Sequence, residues 1–298
     1  MAEKKTGRGI LYAVTGSVFW GASGTAAQAL FANSQISPLW LVGVRLLLAG
    51  LLLLAWYGLA SKQSLFSIWK NQRSATFLLL FAFLGMLPSQ LSYFMAIHYG
   101  NAPTATVLQF LGPIFIILYL TVCSHALPRR LDLISVIVAL VGTFLLVTSG
   151  NLIKLSLAPL ALFWGLAAGL SQASYTLLPK ELLVNFDGRL VVGWAMTLGS
   201  IPFFPILFSH SLKSISLVGG GQITFIVIFG TMLAYLFYIN SLQDLQPATT
   251  GMLSSFEPLT ATFLAVAFLG TSLTAIQVLG GLFVLSTIFL QSIPTKAA

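Results

Sequence analysis

Charged residues are scarce in this sequence, and their scarcity excludes an ordinary soluble fold. Asp, Glu, Lys and Arg make up 7% of the 298 residues, against about a quarter in a typical soluble domain. Hydrophobic residues make up 57%, more than one packed core can bury. A bilayer accepts such surface if the backbone polar groups are bonded within helices. Uncharged runs of about 20 residues recur without period-two alternation, so we expect an all-α integral membrane protein.

Cysteine and histidine are also rare, which argues against a disulfide framework, a metal centre and an enzyme. The single cysteine, Cys123, can form no intrachain disulfide. His98, His125 and His210 lie far apart, with no partner at helical spacing for zinc or for a nucleophile. Gly219-Gly220-Gly221 lacks the Lys-Ser/Thr of a phosphate-binding loop. We therefore expect no enzymatic activity, no metal and no cofactor.

The apolar runs divide the chain into about ten predicted transmembrane helices. The first follows a basic N-terminus, as in a signal peptide, but it is longer than a usual signal and many similar runs follow it. The predicted spans are residues 10–30, 38–59, 75–97, 102–123, 131–149, 157–178, 190–209, 222–241, 247–269 and 273–292.

Lys and Arg lie at the ends of these spans, so the net charge of +8 indicates topology and not nucleic-acid binding. If alternate loops share a side, one side carries only Lys154 and Lys213. The other carries Lys4, Lys5, Arg8, Lys62, Lys70, Arg73, Arg129, Arg130, Lys180, Arg189 and Lys296. We expect both termini in the cytoplasm and the protein in the cytoplasmic membrane.

An internal repeat relates the two halves of the sequence. Phe19-Trp20-Gly21 in the first span recurs as Phe163-Trp164-Gly165 in the sixth. An ungapped alignment of the third and fourth spans with the eighth and ninth superposes Gly85 on Gly230, Tyr93 on Tyr238, Thr104 on Thr249, Leu108 on Leu253 and Pro113 on Pro258. A repeat with an odd number of spans must be inverted, a common plan in secondary transporters. We expect repeats at 1–150 and 151–298.

Together these residues resemble the EamA-type drug/metabolite transporters. The resemblance rests on the two Phe-Trp-Gly motifs, Arg45, Pro113 and Glu257-Pro258, and it covers nearly the whole chain. It implies two inverted five-helix halves around a central cavity, in a superfamily that includes exporters of amino acids, amines and drugs as well as nucleotide-sugar carriers. An acidic residue often found at the start of the tenth span is missing from Gly270-Thr271-Ser272-Leu273.

Polar and aromatic side chains form stripes on six of the predicted spans. Because polar groups are costly in a bilayer, they tend to face the bundle interior or a water-filled cavity. The alternative is that these side chains only lock helices together. As candidate substrate-binding residues we take Trp20, Gln28, Gln90, Tyr93, Gln109, Trp164, Gln172, Tyr175, Tyr235, Tyr238, Ser254 and Glu257.

Arg45 and Glu257 are the charged residues that lie deep within the predicted spans, away from the span ends. Arg45 lies roughly 10 Å from the outer end of its helix, so we expect it to snorkel to the headgroups or to bond a helix carbonyl. Glu257 is about 15 Å from either surface, and we expect it to be a coupling or recognition group. It could instead pair with Arg45, or bond a carbonyl freed by Pro258. Pro88, Pro113 and Pro258 are expected to bend their helices and to free backbone carbonyls near the midplane.

The charge inventory favours some substrates over others. A phosphorylated ligand needs Arg or Lys in its site, and Arg45 is the one cation within the spans. Amides, aromatic rings and one carboxyl group suit neutral or cationic metabolites, namely small amino acids or amines. The sequence therefore predicts a secondary exporter, with protons as a candidate coupling ion and a homodimer left open. The alternative is a non-transporting scaffold or a lipid flippase-like protein.

Overall fold

The computed structural model describes residues 2–61, 63–124, 130–151, 156–209, 215–245, 250 and 253–292. Within these ranges the chain is helical and contains no strand. The α-helices are α1 (Ala2–Asn33), α2 (Pro38–Ala60), α3 (Gln72–Leu80), α4 (Leu87–Tyr99), α5 (Ala102–Gln109), α6 (Gly112–Ser124), α7 (Arg130–Thr148), α8 (Pro159–Leu177), α9 (Lys180–Asn185), α10 (Gly188–Ser200), α11 (Phe204–Ser209), α12 (Leu217–Val227), α13 (Ala234–Asp244), α14 (Phe256–Leu269) and α15 (Ala275–Ser292).

Several continuous stretches of helix are long and apolar enough to cross a bilayer. Six such stretches occur in the described residues, namely Pro38–Ala60, Gln72–Tyr99, Ala102–Cys123, Arg130–Thr148, Gly188–Leu207 and Leu217–Tyr238. Shorter apolar helices follow at Phe256–Leu269 and Ala275–Leu290. The protein is therefore a multi-pass membrane protein, as predicted. Helices α1 and α8 have 32 and 19 residues but are not among the six, because their polar side chains lower the hydropathy.

Two of the long stretches contain a turn of π-helix. Phe81–Met86 joins α3 to α4, and Ile228–Leu233 joins α12 to α13. A π-helical turn bonds i to i+5, so it leaves backbone carbonyls without their usual helical donor, and such turns are frequent at functional sites. No feature of the sequence had indicated either turn.

Each of the three mid-span prolines lies beside an irregularity of its helix. Pro88 lies at the start of α4 directly after the first π-helical turn. Pro113 lies in the first turn of α6, after the break between α5 and α6. Pro258 lies in the first turn of α14, after an irregular pair of residues at 254–255. Pro113 and Pro258 thus lie in first turns, where the missing N–H costs no helical hydrogen bond, whereas Pro88 lies within the continuous stretch Gln72–Tyr99.

Among the described residues, the main helix–helix contacts fall into four groups. Helix α1 packs on α13 and α14, and α8 packs on α4, α5 and α6. Helix α2 packs along α10, and α7 packs along α15. In each of these four groupings, helices from before residue 150 meet helices from after it.

Candidate functional site

An aromatic cluster forms where α1, α4, α8 and α13 meet. The Trp20 ring lies 5.2 Å from Tyr235 in an edge-on contact and 5.3 Å from Tyr238. The Tyr175 ring lies 6.1 Å from Tyr235. Gln90 Nε2 donates a hydrogen bond of 3.3 Å to the Tyr235 hydroxyl. Five of the predicted site residues, from four helices, are therefore in one group, which we call the aromatic cluster.

A second group consists of amides and a serine between α4, α5 and α8. Gln172 Oε1 accepts hydrogen bonds from Ser89 Oγ and Gln109 Nε2, both of 3.2 Å. The hydroxyls of Ser92 and Ser171 lie 3.1 Å apart between the same helices. These bonds hold three helices together, so at this place the geometry matches the helix-locking alternative as well as a polar site.

Tyr93 is buried between α1 and α5. Its hydroxyl is 3.0 Å from Thr106 Oγ1, which itself donates to the Ala102 carbonyl over 2.8 Å. Gly24 makes room for the Tyr93 hydroxyl, because a Cβ at that position would overlap it. Tyr93 is 7% exposed.

Besides Tyr93 and Glu257, three more predicted site residues lie apart from both groups. Gln28 accepts from the Ala102 N–H at the start of α5 and donates to Thr271 Oγ1, both over 2.8 Å. Ser254 Oγ donates to the Thr250 carbonyl of its own segment over 3.1 Å. The ring contact of Trp164 is with its neighbour Phe163, at 5.2 Å. The bonds of Gln28 and Ser254 satisfy backbone groups, as helix caps and turns do.

Arg45 differs from its expected position at the membrane surface. The side chain is 3% exposed and does not snorkel, because it points into the bundle, where polar acceptors and an aromatic face receive it. Its Nε donates to Thr231 Oγ1, and its Nη2 donates to the Gly230 carbonyl over 3.2 Å. The guanidinium carbon lies 4.6 Å from the centre of the Phe94 ring. The alternative expectation, a bond to a helix carbonyl, is confirmed.

The π-helical turn at Ile228–Leu233 supplies both hydrogen-bond acceptors of Arg45. Gly230 and Thr231 both belong to Ile228–Leu233. Thr231 Oγ1 donates over 2.8 Å to the Ile226 carbonyl, five residues earlier, and its lone pair faces Arg45. An intramembrane cation was visible in the sequence, but its partners depend on a turn that propensity does not reveal.

Glu257 lies in the first turn of α14, where the positive end of the helix dipole favours a carboxylate. The carboxyl group is within electrostatic range of Tyr93, Tyr235, Tyr238 and Arg45. It makes no side-chain hydrogen bond or ion pair to the residues that the structure describes. The alternatives of a direct pair with Arg45 and of a bond to a carbonyl freed by Pro258 are therefore not realised.

A cleft of about 400 Å³ lies elsewhere, between the α1–α2 connection and the end of α4. Its walls include Phe31, Gln35, Met95 and His98, and none of the predicted site residues. The described residues contain no group of three or more His, Cys, Asp or Glu side chains arranged to hold a metal ion.

These features define a polytopic helical membrane protein with polar and aromatic side chains gathered between its spans. The profile of the EamA-like transporter family matches residues 7–148 and 159–293. The chain belongs to the EamA-like transporter family.

Named relatives include the uncharacterized inner membrane transporter YicL of Salmonella typhimurium, 36% identical over 98% of this chain and 97% of the relative. The uncharacterized transporter YwfM of Bacillus subtilis is 28% identical over 96% of this chain and 94% of the relative. A solved structure described only as "Crystal structure of protein" aligns with a TM-score of 0.63 at 13% identity, over 95% of this chain and 96% of the other. At that identity the likeness shows the fold alone.

Proposed function

We propose that this protein is a secondary exporter of small amino acids, amines or related neutral or cationic metabolites, working by alternating access. The observation that carries the proposal is the aromatic cluster, with the Glu257 carboxyl group in its electrostatic range. Ring faces and a carboxylate are the groups that bind an ammonium ion away from water. The family membership supports transport as the activity.

The proposed architecture is ten transmembrane helices in two inverted five-helix repeats, 1–150 and 151–298, around a central cavity. Three features support it. A π-helical turn occurs in the third span and again in the eighth, at Phe81–Met86 and Ile228–Leu233. A break precedes the proline of the fourth span and of the ninth. The contact of α1 with α13 corresponds to that of α8 with α4, as exchange of the two repeats requires.

Both termini are proposed to lie in the cytoplasm, in the cytoplasmic membrane of the cell. The excess of Lys and Arg on one set of loops supports this orientation. A protease added outside intact cells should leave tags at either end uncut and should cut both after the membrane is opened. Cleavage of one tag in intact cells would contradict an even number of spans.

Transport is tested with the full chain reconstituted into liposomes. Uptake of an amino acid and amine panel is measured with and without a pH gradient, beside nucleotide sugars as a contrasting class. We expect uptake from the first group, increased by the gradient. Uptake of nucleotide sugars alone would contradict the proposal.

The second candidate is a scaffold that transports nothing, and the bonded group around Gln172 favours it. Cys123 is the one cysteine of the sequence, so Cys123→Ser gives a cysteine-free background. In that background, Gln109→Cys and Gln172→Cys should react with small polar thiol reagents in the membrane if a water-filled cavity exists. If both remain inert while a cysteine at exposed Val184 reacts, the packing role is correct.

A further inference from the structure

One nitrogen of the Arg45 guanidinium has no hydrogen-bond partner among the residues that the structure describes. Nε and Nη2 donate to Thr231 and Gly230, but Nη1 is buried without a hydrogen-bond partner, in a side chain that is 3% exposed. Buried donors are almost always satisfied. A buried cationic nitrogen without a partner is therefore a position at which an acceptor group of a ligand can bind.

Glu257 carries the opposite charge to Arg45. Like Arg45 Nη1, its carboxyl group makes no hydrogen bond to the residues that the structure describes. Helix α14 packs on α1, where the Glu257 backbone lies against Gly21, the neighbour of Trp20. The charges of Glu257 and Arg45 attract each other, but the acceptors of Arg45 are the hydroxyl and carbonyl of the π-helical turn. Tyr93 and Tyr235 lie within range of both charges. The region thus offers a positive and a negative group, separate from each other, beside aromatic rings.

We propose that Arg45 and Glu257 bind the two ends of a zwitterionic amino acid, with Arg45 Nη1 donating to the substrate carboxylate and Glu257 accepting from its ammonium group. The aromatic cluster contacts the substrate side chain. This inference rests on the proposed function and narrows its substrate class, because a simple amine offers no acceptor for Nη1.

The consequence is selectivity between an amino acid and the amine that lacks only its carboxylate. A site built to hydrogen-bond a substrate group discriminates against the analogue without it, because its own buried polar group is then left unpaired. We expect the amino acid to be preferred by about a hundredfold in uptake at low concentration, below the upper range of such discrimination.

Competition measurements on the unmodified protein test this without any variant. Three matched pairs are compared as substrates and competitors: phenylalanine with phenylethylamine, leucine with isoamylamine, and lysine with cadaverine. The amino acid of at least one pair should inhibit far better than its amine. Equal inhibition by amine and amino acid in every transported pair overturns the inference but leaves the exporter intact. Uptake of no member of any pair counts against both proposals.

Substitution of Arg45 then assigns the selectivity to its guanidinium. Arg45→Gln should reduce amino-acid uptake by about a hundredfold while amine uptake changes less than about twofold. Arg189→Gln is the matched control, since Arg189 pairs with Asp187 at the very start of α10, and both uptakes should be unchanged. Equal loss of both substrates, with normal amounts of folded protein, would mean that Arg45 only holds the π-helical turn. If Arg45→Gln does not fold, the competition result decides.

Discussion

The helix pair α7–α15 and the aromatic cluster lie in the same protein but are stabilised by different interactions. Between α7 and α15 the backbones nearly touch: a Cβ at Gly142 would lie 2.7 Å from the Gly280 carbonyl oxygen, and one at Gly280 would lie 2.6 Å from that of Gly142. In the aromatic cluster the ring centres are 5.2 to 6.1 Å apart. Large side chains there keep the helix backbones apart, and Gln90 bonds the Tyr235 hydroxyl among them.

The difference predicts different roles for the two regions. Lipid tails are as apolar as Leu, so helices in a membrane associate through close packing of small residues. The pair α7–α15 uses this mode, whereas the region around Tyr235 contains groups that are costly in a bilayer. Substitutions in the glycine contact should therefore affect stability, and substitutions in the aromatic cluster should affect transport.

The largest effect is expected at Glu257. Glu257→Gln keeps size and hydrogen bonding but cannot ionise, so gradient-driven uptake should fall by about a hundredfold, or about 2.7 kcal/mol, and lose its pH dependence. The unfolding midpoint should change little. Uptake is measured in liposomes at several pH gradients, with Glu181→Gln as the control for a carboxylate outside the aromatic cluster, where it pairs with Arg73. Unaltered pH-dependent transport would show that Glu257 is not the coupling group.

The opposite pattern is expected at Gly142. Gly142→Ala places a methyl group against the Gly280 carbonyl, which should destabilise the fold by about 2 kcal/mol through overpacking. Gly220→Ala is the matched control, because nothing lies within 4 Å of a Cβ there. Denaturant titration in detergent measures both. Equal midpoints for the two variants would remove the distinction between the regions.

A smaller effect is expected for Trp20→Ala, which removes the ring that contacts both Tyr235 and Tyr238. Uptake should fall about tenfold, or about 1.4 kcal/mol, and more than the amount of folded protein falls. Tyr93→Ala, Trp164→Ala and Tyr238→Ala should behave alike if these residues also line the site. Trp56→Ala is the control at a ring that is 44% exposed. Parallel losses of uptake and folded protein would assign these rings to packing.

The smallest effect is expected for Tyr93→Phe, which removes one hydroxyl. Its bond to Thr106 should contribute about 0.6 kcal/mol, the average for interhelical hydrogen bonds in membranes. A double-mutant cycle with Thr106→Val measures that coupling. A coupling near zero would mean that Gly24 and the Tyr93 ring, without the hydroxyl, position this part of α4.

The sequence predicted the broad architecture because hydropathy and prolines act locally. Apolar runs identify helices directly, and Pro113 and Pro258 mark the interruptions that the structure contains. The partners of polar side chains were less predictable, because they depend on which helices meet. Gln28 has the same helical spacing from Trp20 that Gln172 has from Trp164, yet it bonds the start of α5. The position of the Arg45 side chain depends on the π-helical turn, and no residue pattern predicts that turn.

The π-helical turn at Ile228–Leu233 amounts to one extra residue in an otherwise α-helical rod. One α-helical residue corresponds to about 100° of rotation, so the faces of α12 and α13 are offset from those of a continuous helix. Deletion of a single residue within the turn would realign these faces. The Gly230 carbonyl would then accept a helical hydrogen bond in place of the one from Arg45, and the Tyr235 ring would turn away from Trp20. The arrangement of Arg45 and the aromatic cluster therefore depends on the number of residues in this helix. Insertions and deletions would test that dependence, and substitution scans do not include them.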